Sequence, residues 1–157
     1  MFLAKIVGKI VSVTKNEGLH GKKILIAVPI NMNDEVSLII TSCGRFDLLE
    51  ETLDSFFKYN TYPIKKIIIT EDSTEGNKLK KLVSKYENQN FQLIVNETRL
   101  GQLKSIDKAY KEVDTEYVFH CEDDWEFFRE GFIEKSIELL KEDEKILIVG
   151  GRAKEDY

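Results

Sequence analysis

Residues 36–59 read VSLIITSCGRFDLLEETLDSFFKY, and the change of periodicity inside this stretch decides the fold class. Val36–Thr41 is a short, β-branched apolar run, the pattern of a strand buried on both faces. Ser42-Cys43-Gly44-Arg45 interrupts it, and from there Phe46, Leu49, Leu53, Phe56 and Phe57 recur at helical spacing as far as Tyr59. The same strand-then-helix order continues downstream. Lys66–Thr70 (KIIIT) predicts a second buried strand, Glu71–Gly76 a polar loop, and Asn77–Tyr86 a helix with Leu79, Leu82, Val83 and Tyr86 on one face. Phe91–Val95, Tyr117–His120 and Lys145–Val149 (KILIV) predict three more strands, separated by helices over Gly101–Val113 and Phe132–Leu140. Strands alternating with helices of this length predict an α/β fold with a mostly parallel sheet, flanking helices and right-handed crossovers.

Residues 1–33 follow another pattern. Ala4–Val13 alternates in part, Lys15–Gly21 is rich in turn formers and Lys23–Val28 is strand-like, which together predict a β-hairpin without a helix. Pro29–Glu35 reads as a linker, because Pro29, Asn31, Asn33 and Asp34 all disfavour continuing a strand. The expected division is a hairpin segment over 1–33 and an α/β domain over 36–157.

Composition narrows the function classes. The chain has 157 residues, 42% of them hydrophobic and 32% charged, as in a folded globular protein. No apolar run approaches the roughly 18–20 residues of a membrane helix, and the lysine-interrupted N-terminus lacks a signal-peptide layout. Two cysteines, Cys43 and Cys121, make no disulfide framework and suit a reducing, cytoplasmic setting. A net charge of −5, with small, dispersed lysine clusters at 22–23, 65–66 and 80–81, disfavours nucleic acid as a partner.

In an open parallel sheet, ligands bind beyond the carboxyl ends of the strands. The residues there are Thr41, Ser42, Gly44 and Arg45; Glu71, Asp72 and Ser73; Asn96, Arg99 and Gly101; and Glu122, Asp123 and Asp124. Hydroxyls, carboxylates, arginines and glycines in this combination suit a phosphorylated ligand bound with a divalent cation. The acidic triplet is the sharpest feature, since three adjacent carboxylates at a buried strand end need a counter-charge, which Mg²⁺ or Mn²⁺ would supply. Its structural alternative is a solvated turn capping the next helix. Asp72 could accept from a ribose or base, or cap the helix near Gly76. Arg45 could pair with a phosphate, or lie on the first helical turn. His120 and Cys121 are adjacent, without zinc-site spacing, and read as packing residues, while His20 reads as a turn residue. There is no Walker-type loop, no Gly-x-Gly-x-x-Gly, and no Gly-x-Ser-x-Gly around Ser42, which disfavours P-loop hydrolysis, dinucleotide chemistry and a serine hydrolase.

The blocks VSLIITSCGRFDLLEETLDSFF, KKIIITEDSTEG, NETRLGQLKSIDKAY and YVFHCEDDWEFFREGFIEKSIELL resemble, in order and spacing, a family 2 glycosyltransferase of GT-A fold over residues 36–152. The resemblance implies a donor site for a UDP- or GDP-linked sugar. In it Thr41, Ser42 and Arg45 line the base and ribose pocket, and Asp72 contacts the nucleoside. Arg99, Gly101 and Asp123 add further donor contacts, and Asp124 with Glu122 holds Mn²⁺ or Mg²⁺ in the manner of a DXD motif. It implies inverting transfer to an acceptor hydroxyl, with the acceptor and the catalytic base left unassigned. Two departures stand out. Ile106 occupies a position where many members have arginine, and the chain has only Arg152–Tyr157 where the family's acceptor half follows, so a truncated chain is expected. A non-catalytic nucleotide-binding or assembly module, or a fused fragment, is the alternative. MFLAKIVGKIVSVTKNEGLHGKKILIAVPIN resembles the opening of the microcompartment vertex proteins, the ethanolamine-utilisation and carboxysome pentamer family. That resemblance implies possible homo-oligomerisation through this segment.

Overall fold

The computed structural model describes residues 2–5 and 34–151. In chain order their elements are β1 (Phe2–Lys5), β2 (Val36–Ser42), α1 (Phe46–Tyr59), β3 (Ile64–Glu71), α2 (Gly76–Val83), β4 (Phe91–Val95), α3 (Gln102–Lys111), β5 (Tyr117–Glu122), α4 (Phe132–Glu142) and β6 (Ile148–Gly150). They form one sheet in the order β4-β3-β2-β5-β1-β6. The four strands β4, β3, β2 and β5 are parallel, as the strand–helix alternation predicts.

Every residue of β2 is buried, which accounts for the unbroken VSLIIT run: a central parallel strand presents apolar side chains to helices on both faces. Alternate residues serve different layers. Val36, Leu38 and Ile40 join the larger core with Leu49, Leu53 and Phe56 of α1, Leu79 and Leu82 of α2, and Ile133, Ile137 and Leu140 of α4. Ile39 joins Ile68, Val118 and Ala109 of α3 in a smaller core on the opposite face. Phe56 is the centre of an aromatic cluster, with ring centroids 5.6 Å from Phe57, 6.1 Å from Phe119, 5.3 Å from Phe127 and 5.9 Å from Phe132. Phe127 lies just beyond the acidic triplet and its backbone N–H donates to Ser55 Oγ at 3.2 Å, so core packing also anchors the acidic loop.

Three features depart from the sequence reading. β5 runs on through Cys121 and Glu122, where a break after His120 was expected; pairing of Thr41 with Glu122 and Ile40 with Cys121 extends the ladder despite the polar side chains. The last strand begins at Ile148 rather than Lys145 and lies at the sheet edge. β1, finally, lies inside the α/β sheet, antiparallel to both β5 and β6, with Leu3 opposite Phe119 and Val149. Apart from these four strand residues, the hairpin expected over residues 1–33 lies outside the described residues.

Leu3 is fully buried in the larger core. Leu3→Ala is expected to lower stability by about 2–5 kcal/mol, the range for truncating a buried leucine. Urea unfolding checks this, and a midpoint equal to wild type would show that the first strand adds nothing to the sheet.

Candidate functional site

The order of strands reverses at β2: β3 and β4 are added on one side of it and β5 on the other. Such a switch point separates the loops that follow the two adjacent strands and opens a crevice at their carboxyl ends. Here the crevice is a cavity of about 410 Å³ lined by residues from four strand ends: Thr41, Ser42, Cys43 and Arg45; Asp72; Arg99, Gly101, Gln102 and Ser105; and Glu122, Asp123 and Asp124. All nine residues singled out from the sequence, Thr41, Ser42, Arg45, Asp72, Arg99, Gly101, Glu122, Asp123 and Asp124, therefore border one cavity.

Two adjacent carboxylates at the end of β3 organise its floor. Glu71, fully buried, accepts from Ser42 Oγ at 2.9 Å, Gly44 N at 2.9 Å and Ser73 N at 2.8 Å. Gly44 has φ of 74°, and a Cβ there would lie 3.2 Å from Ser73 Cβ, so this sharp turn suits glycine. Asp72 faces the other neighbour. Its Oδ1 accepts from Asn96 Nδ2 at 2.7 Å and Leu100 N at 2.8 Å, and its Oδ2 from Gly101 N at 2.8 Å. Burial works against ionisation of Asp72, but these bonds and the charge of Arg99 together hold its pKa below the ordinary aspartate value. Asp72 does not cap α2: the N-cap position is Glu75, eight residues after the strand's Ile67, and no side-chain cap bond forms there.

The acidic triplet lies across the crevice. Glu122 ends β5 and accepts a bond from Gln102 Nε2. Asp123 is only 1% exposed and receives the Arg45 guanidinium through NH2 and through Nε at 3.4 Å, with Cys43 N also at 3.4 Å. Asp124, 39% exposed, takes Arg45 NH1 at 2.9 Å. These bonds raise the Arg45 pKa, the hydrogen bond to Asp123 being the largest cause. The triplet does not cap a helix, because α4 starts at Phe132 behind Gly131. Arg45 occupies the N-cap position of α1 and points its charge at the two aspartates rather than at its own helix.

Glu71, Asn96, Gln102 and Ser105 belong to this site without having been assigned to it from the sequence. Glu71 and Asn96 were visible there as strand-end polar residues, but their part depends on long-range partners. Asn96 bridges Asp72 to Ser105 Oγ at 2.9 Å and accepts from Lys108 Nζ at 2.7 Å. His120 and Cys121 are buried below the site. The His120 Nδ1 lies 3.2 Å from Tyr110 Oη and burial lowers its pKa to about 4, while burial raises the Cys121 thiol to about 12.

Among the described residues, no group of three or more His, Cys, Asp and Glu side chains is arranged as a metal centre. The donor set nonetheless fits a hard divalent ion, since Mg²⁺ and Mn²⁺ need only one or two protein carboxylates alongside water and phosphate oxygens.

A mostly parallel α/β sheet with flanking helices and a crevice at its switch point is the arrangement of the GT-A-like α/β fold. Residues 37–157 match the glycosyl transferase family 2 pattern, and the chain belongs to that family. The fold is similar to the mannosyltransferase PcManGT from Pyrobaculum calidifontis, solved in complex with GDP-Man and Mn²⁺, at 20% identity and a TM-score of 0.51 over 57% of this chain and 27% of that one. It is also similar to S. aureus TarS 1-349, solved in complex with UDP, at 21% identity and a TM-score of 0.58 over 69% of this chain and 32% of that one. The chain thus spans about a third or less of the length of these structures. No match was found among curated proteins. No helix among the described residues is long and apolar enough to cross a membrane.

Because the Asp72 pKa is depressed in the folded state, its stabilising contribution is fully present above the unfolded value of about 3.9 and is lost as pH falls through the lower folded value. Asp72→Asn removes the charge that attracts the Leu100 and Gly101 N–H groups. The stability gap between wild type and Asp72→Asn in urea unfolding is expected to be widest near about pH 6 and to shrink toward about pH 3. A gap independent of pH would show that the carboxylate charge is not what holds the loop.

Proposed function

We propose that the crevice is the donor site of a glycosyltransferase that binds a nucleoside diphosphate sugar together with Mn²⁺ or Mg²⁺. The observation that carries this reading is the charge of the cavity lining, four carboxylates against two guanidinium groups. A formal charge of −2 repels a diphosphate unless a cation enters with it, and a divalent ion held by Asp124 and Glu122 would cancel that charge. When bound, such an ion acts as a Lewis acid toward the diphosphate leaving group.

The residues of the chain divide the remaining work. Asp72 keeps an acceptor position on Oδ2, which holds one protein donor, and offers it to a nucleoside N–H or hydroxyl. Ser42 spends its proton on Glu71, so toward a ligand its hydroxyl accepts. The Gly101 N–H is committed to Asp72; Gly101 therefore serves by letting the ligand approach the backbone, and Arg99 is the group on that loop able to reach a phosphate. Asp123, buried and hydrogen-bonded, positions Arg45 and the Cys43 backbone rather than contacting the sugar directly. In the transfer, an acceptor hydroxyl oxygen forms a bond to the anomeric carbon as the bond from that carbon to the diphosphate oxygen breaks, with inversion. The hydroxyl proton passes to a base that is not assigned. The two cysteines, both free, support a cytoplasmic setting for this chemistry.

Thermal unfolding with UDP or GDP, each with and without Mn²⁺, tests the reading. The melting temperature is expected to rise with one of the nucleotides plus Mn²⁺, by an amount set by the ratio of ligand concentration to Kd. Asp124→Ala is expected to abolish the metal-dependent part. Stabilisation by neither nucleotide, or an unchanged metal response in Asp124→Ala, would overturn it.

A further inference from the structure

One cation already occupies Asp124, one of the two carboxylates that the donor reading gives to the metal, together with its neighbour Asp123. Arg45 reaches across the switch point, from the start of α1 to the loop after β5, and bonds Asp123 and Asp124 at once. The two partners differ in freedom. Asp123 is 1% exposed and also accepts from Cys43 N at 3.4 Å, whereas the Arg45 side chain is 49% exposed. A buried carboxylate stripped of its counter-charge is strongly destabilising, so Asp123 has to be neutralised by something in every state of the site. A guanidinium and a divalent cation repel one another, and both cannot sit within hydrogen-bonding distance of Asp124.

We propose that Arg45 is the resident counter-cation of the Asp123–Asp124 pair and that an incoming divalent metal, taken by Asp124 and Glu122 on either side of Asp123, supplies the charge there and displaces the guanidinium onto the diphosphate of the donor, so that metal and nucleotide bind cooperatively. This rests on the donor-site reading above. Displacement by metal alone leaves the guanidinium without its anions. Displacement in the presence of a diphosphate gives it a new bidentate partner of the kind arginine's planar fork fits. The Cys43 N–H remains on Asp123 while the exchange takes place, and Arg45 needs only side-chain rotation, since its backbone is held as the N-cap residue of α1. An arginine guanidinium stays charged in both positions.

Calorimetric titration of the full chain with Mn²⁺, with and without saturating UDP or GDP, decides the matter, together with electron paramagnetic resonance of the free Mn²⁺. Without nucleotide, Arg45→Ala is expected to bind Mn²⁺ about tenfold more tightly than wild type, a coupling of the usual size between linked sites. Arg45→Lys, whose compact charge cannot bridge both aspartates, falls between them. With nucleotide, wild type gains Mn²⁺ affinity by a similar factor and Arg45→Ala gains less. If Arg45→Ala does not fold, Arg45→Lys decides by the same criterion: tighter Mn²⁺ binding than wild type supports displacement, and equal binding overturns it. Equal Mn²⁺ affinity in Arg45→Ala and wild type, with both still binding the nucleotide–Mn²⁺ pair, overturns the displacement and leaves the donor site standing. Absence of Mn²⁺ binding in every variant, with or without either nucleotide, overturns both.

Discussion

The site depends on two consecutive carboxylates, Glu71 and Asp72, placed where β3 ends between its two parallel neighbours. A parallel sheet brings all of its strand ends to one edge, and the loops that leave that edge carry backbone N–H groups with no partner in the ladder. Glu71 takes the N–H groups of Gly44 and Ser73, on the loop toward α1 and on its own loop, while Asp72 takes those of Leu100 and Gly101 on the loop toward α3. Burying a charge is costly unless hydrogen bonds replace its water, and each of these carboxylates receives three. The exchange is mutual. Loops that would otherwise be mobile are drawn to fixed positions, and the residues facing the crevice from them, Arg45 and Arg99, are set relative to the acidic end of β5.

The fold was largely legible in the sequence because its evidence is local. A strand buried on both faces has to be continuously apolar and an amphipathic helix has to repeat at 3.6 residues, and Val36–Tyr59 shows both within one unit. That the candidate residues would gather at one crevice was legible for a related reason: once the strands are parallel, every strand-end residue belongs to the same edge. Pairings across that edge were not legible. Arg45 and Asp123 are 78 residues apart, and nothing near either residue distinguishes a bond between them from a phosphate contact or a helix-turn position. Glu71 reads locally as one more loop acid, and only the arrival of Gly44 and Ser42 reveals it as the anchor of the first loop.

Two misplacements have a common physical origin in tertiary override of local preference. His120-Cys121-Glu122 has poor strand propensity, yet the ladder with β2 continues to Glu122 because Thr41 and Ile40 offer it a paired edge. β1 has the opposite character: four residues carry too little periodicity to announce a strand. Its place is fixed by a gap in the sheet between β5 and β6, which run in the same direction, and by a buried position for Leu3 against Phe119 and Val149.

Charge explains why the crevice was made acidic at all. An anion site built from arginines alone would bind diphosphate without a metal. This lining instead carries more carboxylates than guanidinium groups. His120 is kept neutral at physiological pH by burial, and Lys108 is directed at Asn96. Arg45 alone therefore neutralises Asp123 and Asp124 through its own side chain among the described residues, and any diphosphate that approaches meets an arginine already committed elsewhere. A ligand that arrived without a cation would have to draw Arg45 off a nearly fully buried aspartate; one that arrives with a divalent ion replaces that neutralising charge as it takes the arginine. In the proposed donor site, a preference for a metal-bound diphosphate over a bare one would then follow from the burial of Asp123 rather than from any contact with the sugar.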